Sequence, residues 1–412
     1  MVDSLRLGTV PDKSYPDYRY EVIFKAYKWD PQVGDNNTVS NRVLLLDRIL
    51  AGQLAEWAEE LSAETELMEQ ALLGRPDLVA ELGLPRKIGR LLGRMSTYRR
   101  EANIRLMRFD FHPTEDGWAV SEVNSDVPGG LAETSVWPEI AAAYFYDYEP
   151  GPQVAHELLA AFQRKLGAEG VIALVHATSY ADDRQVMQFL SDYFSRGGFK
   201  TILAAPDHLR WPDRRAVSIL KGQEGRIDGL IRFFPAEWLI NLPWRAEWKG
   251  YFDGLTPGCN HPVTILAQSK RLPLVWDRLG LDIPLWKRLL PETREPGRTG
   301  RLPDDWIYKP ALGRVGEGIS IREAVDKAEL AKIALAAARN PKAWLAQRRF
   351  KSRPLMIDDR PHHLCLGVYT VNGRRAGFYG RVSDRPRIDA SAGDLPVLVS
   401  KPQPGQLRRF DN

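Results

Sequence analysis

The chain has 412 residues, of which 44% are hydrophobic and 27% are charged, a composition typical of a soluble globular protein with two or three domains. The formal net charge is only +4, and the lysine and arginine residues are scattered along the sequence, so nucleic acid is not expected as a partner. A modestly basic site for an anionic substrate is compatible with this charge.

The N-terminal residues and the two cysteines indicate the cellular compartment in which the protein is expected. Residues 1–10 contain no apolar core of a signal peptide, and no run of about 18 apolar residues occurs in the sequence, so we expect neither export nor a membrane span. Cys259 and Cys365 are too few for a disulfide framework and lack metal-ligand spacing. This favours buried, reduced thiols in a cytoplasmic protein, with a catalytic thiol as the alternative.

The first hundred residues are predicted to be mostly helical. Thr38 or Ser40 would cap a helix whose apolar positions run from Leu44 to Trp57. The helical spacing continues to residue 73, a Gly-Arg-Pro break follows, and a third helix is expected from Asp77.

Residues 108–126 are predicted to form a hairpin, because two alternating runs flank a Glu-Asp-Gly turn. Alternation places every second side chain on one face. The polar side chains of this pattern are Arg108, Asp110, Glu122, Asn124 and Asp126. Mg²⁺ binds carboxylate and amide oxygens and completes its shell with phosphate and water, so the hairpin is a candidate metal site. The alternative is an edge hairpin with solvated side chains.

A β-α-β rhythm over residues 151–265 predicts a parallel α/β unit. The predicted strands and helix cover residues 171–175, 182–194, 200–204 and 228–234. Because open α/β sheets bind ligands beyond the carboxyl ends of their strands, Glu237 is a candidate for a cationic substrate group. A surface or helix-capping carboxylate is the alternative.

A glycine loop spans residues 311–320, between strands predicted at 306–310 and 319–321. Its backbone N–H groups could approach phosphate oxygens closely, as in a flap over a nucleotide. The glycines concerned are Gly313, Gly316 and Gly318. The spacing matches neither a P-loop nor a Rossmann fingerprint, and an ordinary hairpin turn is the alternative. Lys309 enters this loop from the strand beneath it, where it could reach the α- and β-phosphates.

Three further segments are compatible with a nucleotide site. Lys270 offers a second lysine for the phosphates, and Gln347 on a predicted strand at 343–350 could address an adenine edge. A strong hairpin with an Asn-Gly turn at 372–373 closes the sequence and delivers Arg381 at the end of its second strand.

The order of these parts resembles the ATP-grasp superfamily, in which two α+β subdomains hold ATP between them. Here the metal element precedes the lysines and the flap, a circular permutation that resembles the glutathionylspermidine synthase family. The resemblance extends from about residue 29 to near the C-terminus. It is carried by Arg108-Phe-Asp110, Glu122-Val-Asn124, Phe234 to Trp238, Tyr308 to Gly318 and Gly377 to Arg381.

The resemblance implies an α/β (α+β) ATP-grasp fold with ATP and Mg²⁺ as cofactors. Residues 1–150 would hold a helical region and the metal hairpin, residues 151–265 a preATP-grasp domain, and residues 266–412 the nucleotide-binding subdomains. It also implies roles for single residues: Asp110, Glu122 and Asn124 as magnesium ligands, Lys270 and Lys309 on the phosphates, and Arg108 and Arg381 at the reacting centre. His112 is expected to flank a turn rather than to bind metal.

The activity implied is an ATP-dependent carboxylate–amine ligase that forms an amide through an acylphosphate. Family members use a peptide acid and a polyamine, and Ser125 and Asp126 are further substrate candidates. The cysteine-dependent amidase domain of bifunctional members has no counterpart, so product hydrolysis is not expected. The alternatives are a phosphotransferase of the kinase type and a non-catalytic nucleotide-binding protein, and a homodimer is left open.

Overall fold

The computed structural model describes residues 4–29, 31–33, 36–95, 98–297, 302–357 and 359–402. They form a mixed α/β fold in which helices surround several sheets, one of them parallel. The α-helices are α1 Tyr15–Lys25, α2 Arg48–Leu72, α3 Pro76–Val79, α4 Arg86–Leu92, α5 Trp137–Ala142, α6 Val154–Leu166, α7 Ala181–Arg196, α8 Gly250–Asp253, α9 Ile265–Gln268, α10 Pro284–Leu289 and α11 Lys327–Arg339.

The strands of the first half are β1 Leu5–Thr9, β2 Gln32–Val33, β3 Asn36–Asn37, β4 Arg42–Leu46, β5 Leu106–Thr114, β6 Gly117–Asn124, β7 Tyr148–Pro150, β8 Val171–His176 and β9 Lys200–Ala204. Those of the second half are β10 Leu209–Arg210, β11 Val217–Ser218, β12 Gly225–Arg226, β13 Gly229–Phe233, β14 Gly258–Cys259, β15 Thr293–Arg294, β16 Trp306–Pro310, β17 Trp344–Arg348, β18 Leu355–Ile357, β19 Arg360–Val371, β20 Arg374–Ser383, β21 Gly393–Leu395 and β22 Val397–Ser400.

Short 3₁₀ turns connect many of these elements. They cover Asp12–Ser14, Arg100–Ala102, Pro206–His208, Pro212–Arg214, Ala236–Asn241, Trp244–Ala246, Pro262–Thr264, Leu272–Leu274, Trp276–Leu279 and Pro341–Ala343. Within the ranges described above, no helix is both long enough and apolar enough to cross a bilayer.

The central sheet has the order β21-β20-β19-β5-β6, with β18 paired to β19. Both predicted hairpins are confirmed, and they lie side by side because β5 pairs antiparallel with β19. Asn372 and Gly373 have φ values of 50° and 78°, the left-handed conformation that an Asn-Gly hairpin turn requires.

Side-chain alternation gives this sheet two different faces. On β19, Leu364, Leu366 and Val368 join the largest hydrophobic core, against which α2 packs. On β5, Phe109 and Phe111 join the same core, so the polar residues between them face the opposite side. That second face forms the floor of the cavity described below.

The predicted parallel α/β unit is confirmed. The sheet has the order β14-β13-β8-β9, its neighbouring strands are all parallel, and α7 connects β8 to β9. Its apolar side chains and those of α6 and α7 make a second core, which includes Phe162 and Phe194. The carboxyl ends of β8 and β13 point toward the cavity, where Asp183 and Phe233 line the wall.

The predicted helix from residue 38 or 40 is wrong at its start. Residues Arg42–Leu46 form the buried strand β4 between β1 and β22, and the helix begins after Asp47, whose side chain accepts the Ile49 N–H at 2.8 Å. A short apolar run fits a buried strand as well as a helix turn, and only tertiary pairing separates the two. The third helix is also divided, into α3 and α4.

The strand predicted at residues 319–321 is wrong as well. These residues return beside β16 without forming a ladder, because the Ser320 hydroxyl accepts the Tyr308 N–H at 2.7 Å and the Ser320 N–H donates to the Tyr308 carbonyl at 3.2 Å. The other predicted strands of this region, β16 and β17, are present and pair antiparallel.

Candidate active site

A cavity of about 520 Å³ lies between the central sheet, the glycine flap and the parallel sheet. It brings together residues that the sequence places far apart. Of the predicted site residues, those lining the cavity are Arg108, Asp110, Glu122, Asn124, Lys309, Gly316, Gln347 and Arg381. The cavity floor comes from β5, β6 and β20, whose polar side chains share the face turned away from α2.

Asp110 lies at an irregularity in the pairing of β5 with β6. Arg108 donates to its two oxygens from Nε at 2.7 Å and from Nη2 at 2.9 Å. Asn124 donates its amide N–H to Asp110 Oδ2 at 2.9 Å, so the amide oxygen of Asn124 is not used in this bond. The hairpin thus collects two oxygen-bearing side chains at one point, next to a guanidinium.

Glu122 faces the same point from β6 and is paired with Lys270 at 2.7 Å. Burial opposes its charged form, but Lys270 lowers the pKa of Glu122 below its usual range. The carboxylate is therefore ionised and ready to bind a cation. In the described ranges, no group of three or more His, Cys, Asp or Glu side chains is arranged for a metal, so any metal site here needs Asn124 as a ligand.

Of the two predicted phosphate lysines, Lys309 lines the cavity, whereas Lys270 lines a small adjoining pocket and reaches the site through its ion pair with Glu122. Lys270 Nζ also donates to the Gly313 carbonyl at 2.6 Å, which ties the base of the flap to the hairpin. Lys309 is buried on β16, and its Nζ donates to the Ser121 carbonyl at 3.3 Å. Burial lowers the pKa of Lys309 to about 8, against the opposing effect of the Glu122 carboxylate.

The flap needs glycine where it crosses the cavity. Gly316 has φ 68°, and a Cβ atom there would lie 2.5 Å from the Ile388 carbonyl oxygen. Gly318 also has a left-handed φ, of 70°, and Gly313 stacks on Pro310 so closely that a Cβ atom would lie 2.2 Å from its ring. Of these three glycines only Gly316 lines the cavity, next to Arg314 and Val315.

Glu237 does not line the cavity; it binds the flap. Its Oε1 lies 2.5 Å from Arg314 Nη2, and the Arg314 guanidinium also lies over the Trp238 ring at 5.2 Å from the centroid. Burial and the neighbouring Asp126 raise the pKa of Glu237, while Arg314 opposes that rise. The cationic partner of Glu237 in this structure belongs to the chain itself.

Gln347 lies on β17 with its side chain buried at the cavity wall. Its amide nitrogen donates to Thr293 Oγ1 at 3.0 Å, so the bond joins two strands of the small sheet. His112 is predicted to flank the hairpin turn rather than to bind metal. It lies within β5, and its ring stands 5.0 Å from that of Phe350. Burial lowers the pKa of His112 to about 4, so the ring is neutral.

Arg381 and Arg108 meet around Tyr379. Arg381 donates from Nη2 to the Asp389 carbonyl at 2.6 Å, and its Nε lies 3.5 Å from Asp394 Oδ1. The Arg108 guanidinium lies 5.3 Å from the centroid of the Tyr379 ring. The two arginines thus border one region of the cavity, beside the Asp110 carboxylate.

Ser125 and Asp126 are fully buried and do not line the cavity. Asp126 is paired with Arg232 at 2.5 Å and accepts the Ala236 N–H at 2.9 Å. The Ser125 N–H donates to the Gln268 side chain at 2.8 Å. These bonds fix the end of β6, which carries Glu122 and Asn124, to the parallel sheet.

Neither cysteine is activated. Cys365 lines the cavity, but burial raises its pKa well above the usual value, and burial raises the pKa of Cys259 to about 12. Both are free and buried, as predicted. A thiolate nucleophile is therefore not available at this site.

Another part of the cavity lining carries acidic residues that the sequence did not indicate. They are Glu133, Asp182, Asp183 and Asp394. Lys28 bridges two of them, at 3.0 Å from Glu133 and 2.7 Å from Asp394. Burial and the adjacent Asp182 raise the pKa of Asp183 to about 6. The aspartates of α7 follow β8 closely, so the rule for strand ends could have found them, whereas Lys28 and Glu133 carry no such signal.

The matches to known proteins agree with this arrangement. The family described as "Glutathionylspermidine synthase preATP-grasp" matches residues 12–399. The chain belongs to this family. Membership supports a carboxylate–amine ligase and agrees with the mixed α/β fold seen here.

Two solved structures are similar to this family member. One is a glutathione synthetase-like effector from Globodera pallida in its apo form, with a TM-score of 0.56 and 12% identity over 86% of this chain and 88% of that one. Another is a putative gamma-glutamylcysteine synthetase from Methylobacillus flagellatus, with a TM-score of 0.43 and 12% identity over 71% and 80%. At 12% identity the first likeness concerns the fold alone. No curated protein matches the chain.

Proposed function

We propose that this chain is an ATP-dependent carboxylate–amine ligase that works through an acylphosphate. The observation that carries the proposal is that Asp110, Glu122, Asn124 and Lys309 line a single cavity, with Lys270 paired to Glu122 from the adjoining pocket. We further propose a circularly permuted ATP-grasp layout, with the metal hairpin within residues 1–150, the preATP-grasp unit at 151–265 and the nucleotide-binding parts at 266–412.

The oxygen donors of the hairpin fit Mg²⁺. Two carboxylates and one amide leave room for phosphate oxygens and water in the shell, which is how Mg²⁺ is usually bound at nucleotide sites. When bound, the ion would neutralise negative charge on the transferred phosphoryl group. Lys270 now compensates the charge of Glu122, so Glu122 can turn to the metal while Lys270 turns to a phosphate oxygen.

The chain's own residues act mainly by position and charge. Lys270, Lys309 and the flap amides would hold the ATP phosphates while a substrate carboxylate oxygen attacks the γ-phosphorus and ADP leaves. An amine nitrogen then attacks the acyl carbon, the C–O bond to phosphate breaks, and the nitrogen loses a proton. Arg108 and Arg381, which lie on either side of Tyr379, would stabilise the oxyanion and the departing phosphate.

The acidic end supports an amine as the second substrate. Asp182 and Asp183 line the same cavity, where they can attract the cationic group of an amine. A peptide acid and a polyamine are the substrates to test first, because the family uses them. Thr38 and Gln185 also line this region and could contact the acid or the amine.

The test is a screen for ADP release with ATP and Mg²⁺, pairing amino acids and small peptides with amines, and detecting the amide by mass. A ligase releases ADP and phosphate in step with amide. A phosphorylated product that accumulates without amide would identify a phosphotransferase. ATP binding that does not depend on Mg²⁺, without turnover for any pair, would identify a non-catalytic nucleotide-binding protein.

A further inference from the structure

Lys28 places a primary ammonium group inside the cavity. It follows α1 in a short segment that is held against α7 on both sides of the lysine. The Tyr27 hydroxyl donates to Asp192, and the Trp29 N–H donates to the Gln185 side chain at 2.9 Å. These anchors leave Lys28 directed away from α7 and into the cavity wall.

Two carboxylates hold the Lys28 ammonium in the way that a protein binds a cationic ligand. It lies 3.0 Å from Glu133 Oε1 and 2.7 Å from Asp394 Oδ2, and its side chain is 13% exposed. Burial opposes the charged form of Lys28, but Asp394 and Glu133 raise its pKa above the usual value. The other oxygen of Asp394 accepts the Tyr379 hydroxyl at 2.6 Å, so the pair is rigidly placed.

This carboxylate pair borders the reacting centre. Asp394 Oδ1 lies 3.5 Å from Nε of Arg381, and Tyr379 lies beneath the Arg108 guanidinium. Only the Asp394 carboxylate therefore separates a cationic group bound between Glu133 and Asp394 from Arg381, the arginine that the proposed function assigns to the acyl group. An acceptor bound in the cavity would have to pass or meet this point.

The two acidic pairs of the cavity differ in one respect. Asp182 and Asp183 make no ion pair within the described ranges; burial and Asp182 raise the pKa of Asp183, and the more distant Arg314 opposes that rise. Glu133 and Asp394 are already compensated by Lys28. The end of a lysine side chain is chemically an alkylammonium group, the same group that terminates a diamine.

We propose that Lys28 determines acceptor specificity: its ammonium fills a second cation site between Glu133 and Asp394, so that the acceptor carries a single cationic group, recognised by Asp182 and Asp183. This inference rests on the proposed function for its meaning as acceptor specificity, and it narrows the amine from the polyamine of the family to one with a single cationic group. The site itself can be tested by binding alone. Removing the lysine side chain leaves two buried carboxylates beside a space the size of an alkylammonium end.

The test compares butylamine with 1,4-diaminobutane as ligands of the full chain, by calorimetry and by the shift in melting temperature, at constant ionic strength. In Lys28→Ala, the affinity for the diamine should rise at least about tenfold over the unsubstituted chain. The affinity for butylamine should change less, because Asp182 and Asp183 would bind its single ammonium group in both proteins. Lys28→Arg keeps the charge and should not show the gain.

The double substitution Lys28→Ala with Glu133→Gln is the matched control, since it removes one carboxylate of the vacated site. It should lose most of the gain in diamine affinity. Equal diamine affinity in folded Lys28→Ala and the unsubstituted chain would overturn the proposal. Should Lys28→Ala fail to fold in plain buffer, recovery of a cooperative melting transition with 1,4-diaminobutane but not with sodium chloride supports the site, and no recovery overturns it.

The two levels of inference are distinguishable. Amine binding needs neither ATP nor turnover. A gain in diamine affinity in Lys28→Ala would therefore support the cation site even if no pair of acid and amine releases ADP. Conversely, amide formation together with unchanged diamine affinity in Lys28→Ala would support the ligase activity and contradict the proposed role of Lys28 in acceptor specificity. With turnover established, kcat/KM for diamines relative to monoamines should increase in Lys28→Ala.

Discussion

The two ends of the cavity are built differently. At the proposed phosphate end, the functional side chains project from strands: Asp110 is paired with Gly367 of β19 and Lys309 with Leu345 of β17, while Glu122 lies on β6 at the irregularity of its pairing with β5. At the acceptor end, the carboxylates come from a loop, from the first turn of α7 and from the edge strand β21, and Lys28 reaches them from a turn. Phosphoryl chemistry requires fixed geometry, whereas recognition of an acceptor can be changed by single residues on loops.

The largest effect is expected at the phosphate end. Glu122→Gln should lower ADP release by at least about a thousandfold, because it removes the charge that the proposed metal site needs. Glu115→Gln, at the exposed turn of the same hairpin, is the control and should have wild-type activity. Turnover at the normal rate in folded Glu122→Gln would contradict the proposed metal site.

A substitution of Asp126 tests whether this residue stabilises the fold or recognises the substrate. Asp126→Asn leaves Arg232 buried without its charged partner, so the free energy of unfolding should fall by about 3–5 kcal/mol in denaturant titration. Asp116→Asn, exposed in the hairpin turn, should leave stability unchanged. A stable Asp126→Asn protein with weakened amine binding would return Asp126 to the substrate-binding residues.

The Arg314–Glu237 ion pair ties the glycine flap to the turn that follows β13. Arg314→Ala and Glu237→Gln should each uncouple ADP release from amide formation several-fold, because an opened flap admits water to the acylphosphate. In the double variant the effects should not add, since both remove the same contact. Arg322→Ala, in an exposed ion pair with Asp304, is the control. Strict coupling in both single variants would show that the flap closes without this contact.

The smallest effect is a pH dependence at the acceptor end. The pKa of Asp183 is raised to about 6 by burial and by Asp182, so its ionised fraction grows from about a tenth at pH 5 to about nine-tenths at pH 7. Affinity for a monoamine should increase over that range by somewhat less than tenfold. Because the folded protein holds this proton more tightly, Asp183 also reduces the free energy of unfolding as the pH rises from about 4 to 6.

Calorimetric titration of butylamine at pH 5, 6 and 7 measures the pH effect, with Asp183→Asn as the variant that should flatten it. Arg314 favours the charged form of Asp183, so Arg314→Ala should move the midpoint upward. An affinity that is the same at all three pH values in the unsubstituted chain would assign amine recognition to other groups.

The sequence predicts the phosphate end better than the acceptor end for a physical reason. Period-two alternation and an Asn-Gly turn are local signals, so they locate both hairpins and the faces on which Arg108 and Arg381 lie. The pairing of Lys28 with Asp394 spans almost the whole chain and depends on how distant segments pack. Glu237 shows the same limit, because its partner Arg314 cannot be read from the residues around it.

Errors in the predicted secondary structure have a related cause. The periodicity of residues Arg42–Leu46 fits a strand as well as a helix. Their pairing with β1 and β22 makes them a strand. Beyond the flap, the Ser320 side chain replaces a backbone ladder bond, which no propensity rule would indicate.

The pairing of β5 with β19 has a consequence for the order in which the protein is made. Phe111 pairs with Leu366 and Leu106 with Val371, so the hairpin that carries Asp110 keeps an open strand edge until the ribosome has released residues near 371. Contacts this distant in sequence form late and slow the search for the native state. Under the proposed function, a nascent chain could therefore use ATP only after residues near 371 have emerged and β19 has paired with β5.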